Sequence, residues 1–144
     1  MDNEIKVNLS DDQFIHFTYL SRAHEVIAEG KLLADAPYKE FVGIAGVQAV
    51  SVRNGRHVPG VQYQRLLNRD DNNEEVVAII FRTNTMPRIG YPEEVIWDGD
   101  VNLISPKIIS QKEAIHQLEN NKVDKEEDYT LIYESALGEI LDSM

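Results

Sequence analysis

The chain contains no cysteine. That excludes a disulfide framework, a thiol nucleophile and a thiolate metal site, and it fits a reducing compartment. Basic residues are also scarce, 14 Lys and Arg against 25 Asp and Glu, for a formal charge of -11. An overall charge of that sign excludes non-specific capture of nucleic acid or an anionic membrane by bulk attraction. No apolar run approaches the ~20 residues that cross a bilayer as a helix, and Met1-Asp2-Asn3-Glu4 lacks the basic and apolar segments of a secretory signal. The expectation is a soluble, cytoplasmic protein without a membrane partner.

Several catalytic signatures are missing as well. His57 and His116 have no second ligand at metal spacing, and Asp70-Asp71-Asn72-Asn73-Glu74-Glu75 lacks the glycine and ligand order of a calcium loop. Gly43-Ile44-Ala45-Gly46 is not followed by the Lys-Ser/Thr pair and helix that cradle phosphate. No serine stands in a nucleophile elbow.

What is present is enough for one core. Apolar residues make up 42% of 144 positions, and strand-like runs group together instead of alternating with helices, which favours an α+β domain over a doubly wound sheet. Residues 1–128 are read as this domain and 129–144 as a strand and helix tail docked on it. Asp12 to Tyr19 reads as a strand leading into a helix capped by Ser21, with Ala23, Val26 and Ile27 on one face and Gly30 as its stop. Val47, Ala49 and Val50 suggest a buried strand closed by the turn pair Asn54-Gly55, and Val76 to Arg82 is a continuous apolar run of the central-strand kind. Glu94 to Leu103 reads as strand, Asp98-Gly99 turn and strand. Ser110-Gln111-Lys112-Glu113 is a capping box that opens a helix to about Asn120.

Phe14-Ile15-His16-Phe17-Thr18 sets a His and a Thr two apart among aromatic and branched residues, on one face of a strand. By itself this reads more often as a hydrogen-bonded histidine on a half-buried strand. Far along the chain stands Glu93-Glu94-Val95-Ile96-Trp97-Asp98, two carboxylates heading a hydrophobic strand, of which Trp97 reads as core. His16-Phe17-Thr18, the helix after it and Gly30-Lys31-Leu32-Leu33, together with Glu94-Val95-Ile96-Trp97-Asp98-Gly99-Asp100-Val101, resemble the opening and closing motifs of ADP-ribosyltransferases of the DarT-like kind.

The resemblance covers roughly a third of the chain, with motif order and spacing raising its weight. It implies a split antiparallel β-sheet cleft that holds NAD as substrate. His16 would hydrogen-bond the adenosine ribose, Thr18 would fix the strand or touch the dinucleotide, and Glu94 would accept from the 2′-hydroxyl of the nicotinamide ribose. That carboxylate is needed because loss of nicotinamide passes through an oxocarbenium-like state. Glu93 is the rival of Glu94, since adjacent strand residues face opposite ways. Family members place an aromatic ring against nicotinamide, for which Tyr63 is the candidate and Tyr38 a poorer one. The chain is shorter than those enzymes, and its middle carries no acceptor signature.

The expected activity is transfer of ADP-ribose to an unidentified protein or nucleic-acid acceptor, or hydrolysis of NAD in the same cleft. The alternatives are a noncatalytic acidic binding or inhibitor protein with a basic protein partner, and a nucleotide-binding sensor.

Overall fold

A computed structural model describes residues 5–33, 46–52, 75–87, 89–90, 95–120 and 131–134. The architecture is α+β. Among these residues the strands are β1 (Ile5–Asn8), β2 (Phe14–Tyr19), β3 (Lys31–Leu32), β4 (Val47–Ser51), β5 (Val76–Arg82), β6 (Ile89–Gly90), β7 (Val95–Trp97), β8 (Val101–Asn102), β9 (Ile104–Ser110) and β10 (Leu131–Glu134). The helices are α1 (Leu20–Glu29) and α2 (Gln111–Asn120). A six-stranded sheet in the order β6-β7-β4-β2-β5-β9 is antiparallel throughout. No described helix is long and apolar enough to cross a membrane.

β5 lies inside this sheet because Val76-Val77-Ala78-Ile79-Ile80-Phe81 offers apolar side chains in both directions. Val77, Ile79 and Phe81 meet Ala23 and Val26 of α1 on one face, while Ala78 and Ile80 meet Ala114 and Leu118 of α2 on the other. Burying both faces of a strand by one helix each is what makes a continuous apolar run, not an alternating one, the stable choice. Trp97 sits in the α1-side core, 1% exposed, edge-on to Phe14 at 5.1 Å between ring centres. Its indole N–H donates to the Thr85 carbonyl at 2.7 Å. It is a core residue, as its place in the sequence suggests.

The helix ends follow local chemistry, with one departure. Gly30 closes α1 in the left-handed conformation, φ 75°, and donates its N–H to the Val26 carbonyl at 2.8 Å. Ser110 Oγ accepts the Glu113 N–H at 3.1 Å, so Ser110 caps α2 as expected, while the Glu113 carboxylate does not close the box and accepts instead from Gln117 Nε2 at 3.0 Å. At the start of α1, however, Ser21 is not the cap: the helix begins at Leu20, and the capping position is Tyr19, which makes no side-chain cap bond. β2 runs straight into the helix beside the start of β5, so the Glu75 carbonyl accepts the Leu20 N–H at 3.0 Å and does the work of a cap.

Other boundaries moved for similar reasons. β2 starts at Phe14, not Asp12, because Asp12 belongs to the turn that follows Leu9–Asp11 and is fully buried there. Its carboxylate accepts from Ser51 Oγ at 2.7 Å, tying the turn to the end of β4. The Asp98-Gly99 bend does separate two strands, yet they do not pair with each other: β7 joins β4 and β6, and β8 leaves the sheet to pair with β3. β9 escaped sequence reading because Pro106 interrupts it and Ser105 has φ 51°, features of an edge strand. β10 pairs in parallel with β1, Ile5 opposite Leu131, so an extended piece of the tail lies beside the first strand of the chain. Asn54-Gly55 and the rest of the tail lie outside the described residues.

Candidate functional site

β2 is flanked by β5 along its whole length, from Phe14 opposite Phe81 to Tyr19 opposite Val76. On its other side the register with β4 holds only at Phe14 opposite Ser51 and Ile15 opposite Val50. Extended by the same rule, it would set His16 against Ala49, Phe17 against Gln48 and Thr18 against Val47. Those rungs are not made, although both strands continue. The two strands part at His16.

The imidazole spans the parting. His16 Nδ1 lies 2.6 Å from the Gln48 carbonyl oxygen. A carbonyl only accepts, so Nδ1 carries the proton and donates it, and in the neutral ring Nε2 is then the acceptor nitrogen. The Val52 N–H donates to the Gln13 carbonyl, and antiparallel alternation from that pair turns the Gln48 carbonyl towards β2. The imidazole thus meets a carbonyl on the edge where the ladder has lapsed.

Burial drives the His16 pKa from its ordinary 6.5 down to about 4, with the Gln48 carbonyl pulling weakly the other way. Desolvation penalises the imidazolium more than one hydrogen bond repays it, so the ring is neutral at pH 7. A neutral ring that donates through Nδ1 and accepts through Nε2 suits a hydroxyl-bearing ligand. It is poorly suited to holding a phosphate by charge.

Phe14, His16 and Thr18 alternate onto the same face of β2. Thr18 is 1% exposed, so it is enclosed and is not a surface contact. His16 is only half-buried, which distinguishes it from both of these neighbours. These two are the expected site residues that the described structure brings together. Glu94, its rival Glu93, and Tyr63 and Tyr38 lie outside the described residues.

Sequence reading passed over Gln48. The signal was a lone amide in Val47-Gln48-Ala49-Val50, an otherwise apolar run. Gly46, just before it, was weighed only as a failed phosphate loop, yet its φ is 82° and a β-carbon there would lie 2.1 Å from the Trp97 carbonyl oxygen. Only glycine lets β4 start this close to β7.

A hollow of about 430 Å³ beside Gln111, Lys112, Ile115, His116 and Glu119 runs along α2 on the side of the sheet away from His16. His116 there accepts from Asn120 Nδ2 at 2.7 Å, one helical turn on. No cluster of metal-ligating side chains occurs among the described residues. Compared with protein-family models, curated proteins and solved structures, the chain finds no match.

Proposed function

We propose that the chain is an ADP-ribosyltransferase-like enzyme that takes NAD into the parting between β2 and β4 and transfers ADP-ribose to a macromolecular acceptor. The observation that carries this reading is the His16 ring, neutral and held through Nδ1–H on the Gln48 carbonyl where the two strands separate. A resident acceptor nitrogen at a break in a sheet is suited to a ribose hydroxyl, and the break supports the split-sheet cleft that the two sequence motifs imply. Thr18, enclosed two residues further along the same strand face, is the residue expected to keep that strand in place.

In the proposed reaction the bond between C1′ of the ribose and the nicotinamide nitrogen breaks. Nicotinamide leaves as a neutral base with the bonding electron pair. The ribose passes through an oxocarbenium-like state, and an acceptor nucleophile then bonds to C1′ and gives up its proton. The carboxylate of Glu94, or of its neighbour Glu93, stabilises the developing positive charge and receives or relays that proton. With water as the nucleophile the same steps are NAD hydrolysis.

The test is nicotinamide release from NAD by the wild type, His16→Ala, Glu93→Ala and Glu94→Ala, with and without a cell lysate as a source of acceptors. One of the two Glu variants is expected to lose at least about a hundredfold in turnover while staying folded. No release by the wild type under either condition sinks the enzyme reading. The -11 charge then favours a noncatalytic protein that engages a basic partner, whose binding neither Glu variant disturbs.

A further inference from the structure

The six-stranded sheet consists of two three-stranded halves joined along one seam. β4 is held to β7 from Val47 to Ala49 and β7 to β6, while β2 is held to β5 over its whole length and β5 to β9. Among the described residues, the ladder between the halves has the rungs Phe14 opposite Ser51 and Ile15 opposite Val50, with the Val52 N–H bond to the Gln13 carbonyl at their end. The seam is closed there and open beyond.

Neither strand carries a residue that opposes closure. Phe14–Tyr19 and Val47–Ser51 contain no proline or glycine, and the next rungs on the His16 face would set His16 against Ala49 and Thr18 against Val47. A small residue leaves space for a large one, and two β-branched residues pair well. Backbone chemistry does not account for the lapse.

The alternation of the ladder shows what does. Gln13 and Val52 are a hydrogen-bonded pair, so the following ones are Ile15 with Val50 and Phe17 with Gln48, and His16 with Ala49 is a non-hydrogen-bonded pair. In a closed seam the Phe17 N–H would therefore donate to the Gln48 carbonyl. That carbonyl instead accepts from His16 Nδ1 at 2.6 Å. The imidazole and the next amide along β2 compete for one acceptor, and the ladder stops at the residue that carries the ring.

We propose that His16 is a wedge: its imidazole takes the Gln48 carbonyl in place of the Phe17 N–H and so holds the β2–β4 seam open beyond Ile15. The seam is then a two-state element, open with the ring bonded and closed with the ladder complete, and one side chain sets the balance. This is a positioning role, and it stands whether or not NAD is the ligand. If NAD is the ligand, His16 makes the opening that it serves.

The test is NMR of the labelled full chain as wild type, His16→Asn and His16→Val. In a closed seam the Cα atoms of residues 16 and 49, and of 18 and 47, approach to about 4.5 Å, which gives strong Hα–Hα Overhauser contacts. The wild type is expected to show the 14–51 contact, neither of the other two, and ring nitrogen shifts of the Nδ1–H tautomer. His16→Asn keeps a donor as many bonds from the backbone as Nδ1 and should stay open. His16→Val removes the donor and favours strand pairing, so both missing contacts should appear. Exchange of the Gln48 backbone amide, which would then donate to the Phe17 carbonyl, should slow by at least about tenfold, the worth of one hydrogen bond.

A 16–49 or 18–47 contact in the wild type, or an Nε2–H ring there, overturns the proposal without any variant. So does a seam that stays open in His16→Val or closes equally in both variants; if the valine variant fails to fold, His16→Ala is read in its place. NAD turnover is a separate readout. Closure in His16→Val with no nicotinamide release by the wild type leaves the wedge standing and removes the transferase. Release by the wild type with a seam that stays open in His16→Val does the reverse.

Discussion

The two ends of β2 are built on opposite principles. At Phe14 and Ile15 the strand is paired on both sides, and Phe14 is enclosed by Trp97 edge-on at 83° and by Phe81 at 5.9 Å. Three elements supply those rings, and the ladder holds them in register. From His16 onward the strand keeps β5 but loses β4, and the side chain at the break is polar, half-buried and bonded to a main-chain carbonyl. The first end is where stability is concentrated; the second gives up backbone pairing with β4. A binding site can be set within a small sheet only if neighbouring rungs hold it in shape.

The sharpest way to break this contrast is at the packed end. Trp97→Ala removes a 1% exposed ring and the hydrogen bond to the Thr85 carbonyl, and is expected to cost about 3–5 kcal/mol in urea unfolding. A loss below about 1 kcal/mol would mean that the aromatic cluster is not the anchor. Gly46→Ala comes next, because the added β-carbon meets the Trp97 carbonyl oxygen and the backbone is at φ 82°. The expected cost is about 3 kcal/mol or more, read as a fall in melting temperature.

Acid sharpens the comparison at the open end. Above pH 6.5 His16 is neutral whether the chain is folded or not, so it adds no slope. Between 6.5 and about 4 the unfolded chain takes up a proton that folded His16 resists. Stability should therefore fall as pH falls through that window, by at most about 1.4 kcal/mol per unit from this residue, and level off below it. His16→Gln should remove that share of the slope. Identical profiles for the two proteins between pH 7 and 4 would show that the ring titrates normally.

The smallest effect lies away from both ends. Ser110→Ala deletes the cap on the Glu113 N–H and should cost about 1 kcal/mol, leaving ligand binding at the β2–β4 parting unchanged. A change in binding there would show that α2, packed under the opposite face of the sheet, is coupled to the site.

Much of this fold was legible locally. The Val76 to Arg82 run, the Gly30 stop and the Ser110 cap each follow from a few neighbouring residues, because apolar periodicity, a glycine's access to positive φ and a hydroxyl's reach to the third N–H are short-range effects. β9 was not legible, since its pairing with β5 overrides Pro106, and neither was the parallel β1–β10 pair, which joins residues far apart in the chain. At the candidate site the sequence pointed to His16 and Thr18 but not to Gln48. A single glutamine in an apolar run looks like a tolerated surface position until its strand is placed beside another.

By itself, then, the sequence determined the α+β class, the Gly30 stop of α1 and the Ser110 start of α2, the one-sided charge, and the order of a His strand and a later Glu-headed run that motivates the functional reading. Only the tertiary structure decided which nitrogen of His16 carries its proton, that Thr18 is enclosed, and that β2 and β4 part after Ile15. These depend on a carbonyl contributed by another strand, on burial by elements distant in the chain and on a register set by distant residues. Such long-range terms have no counterpart in the order of residues along one strand.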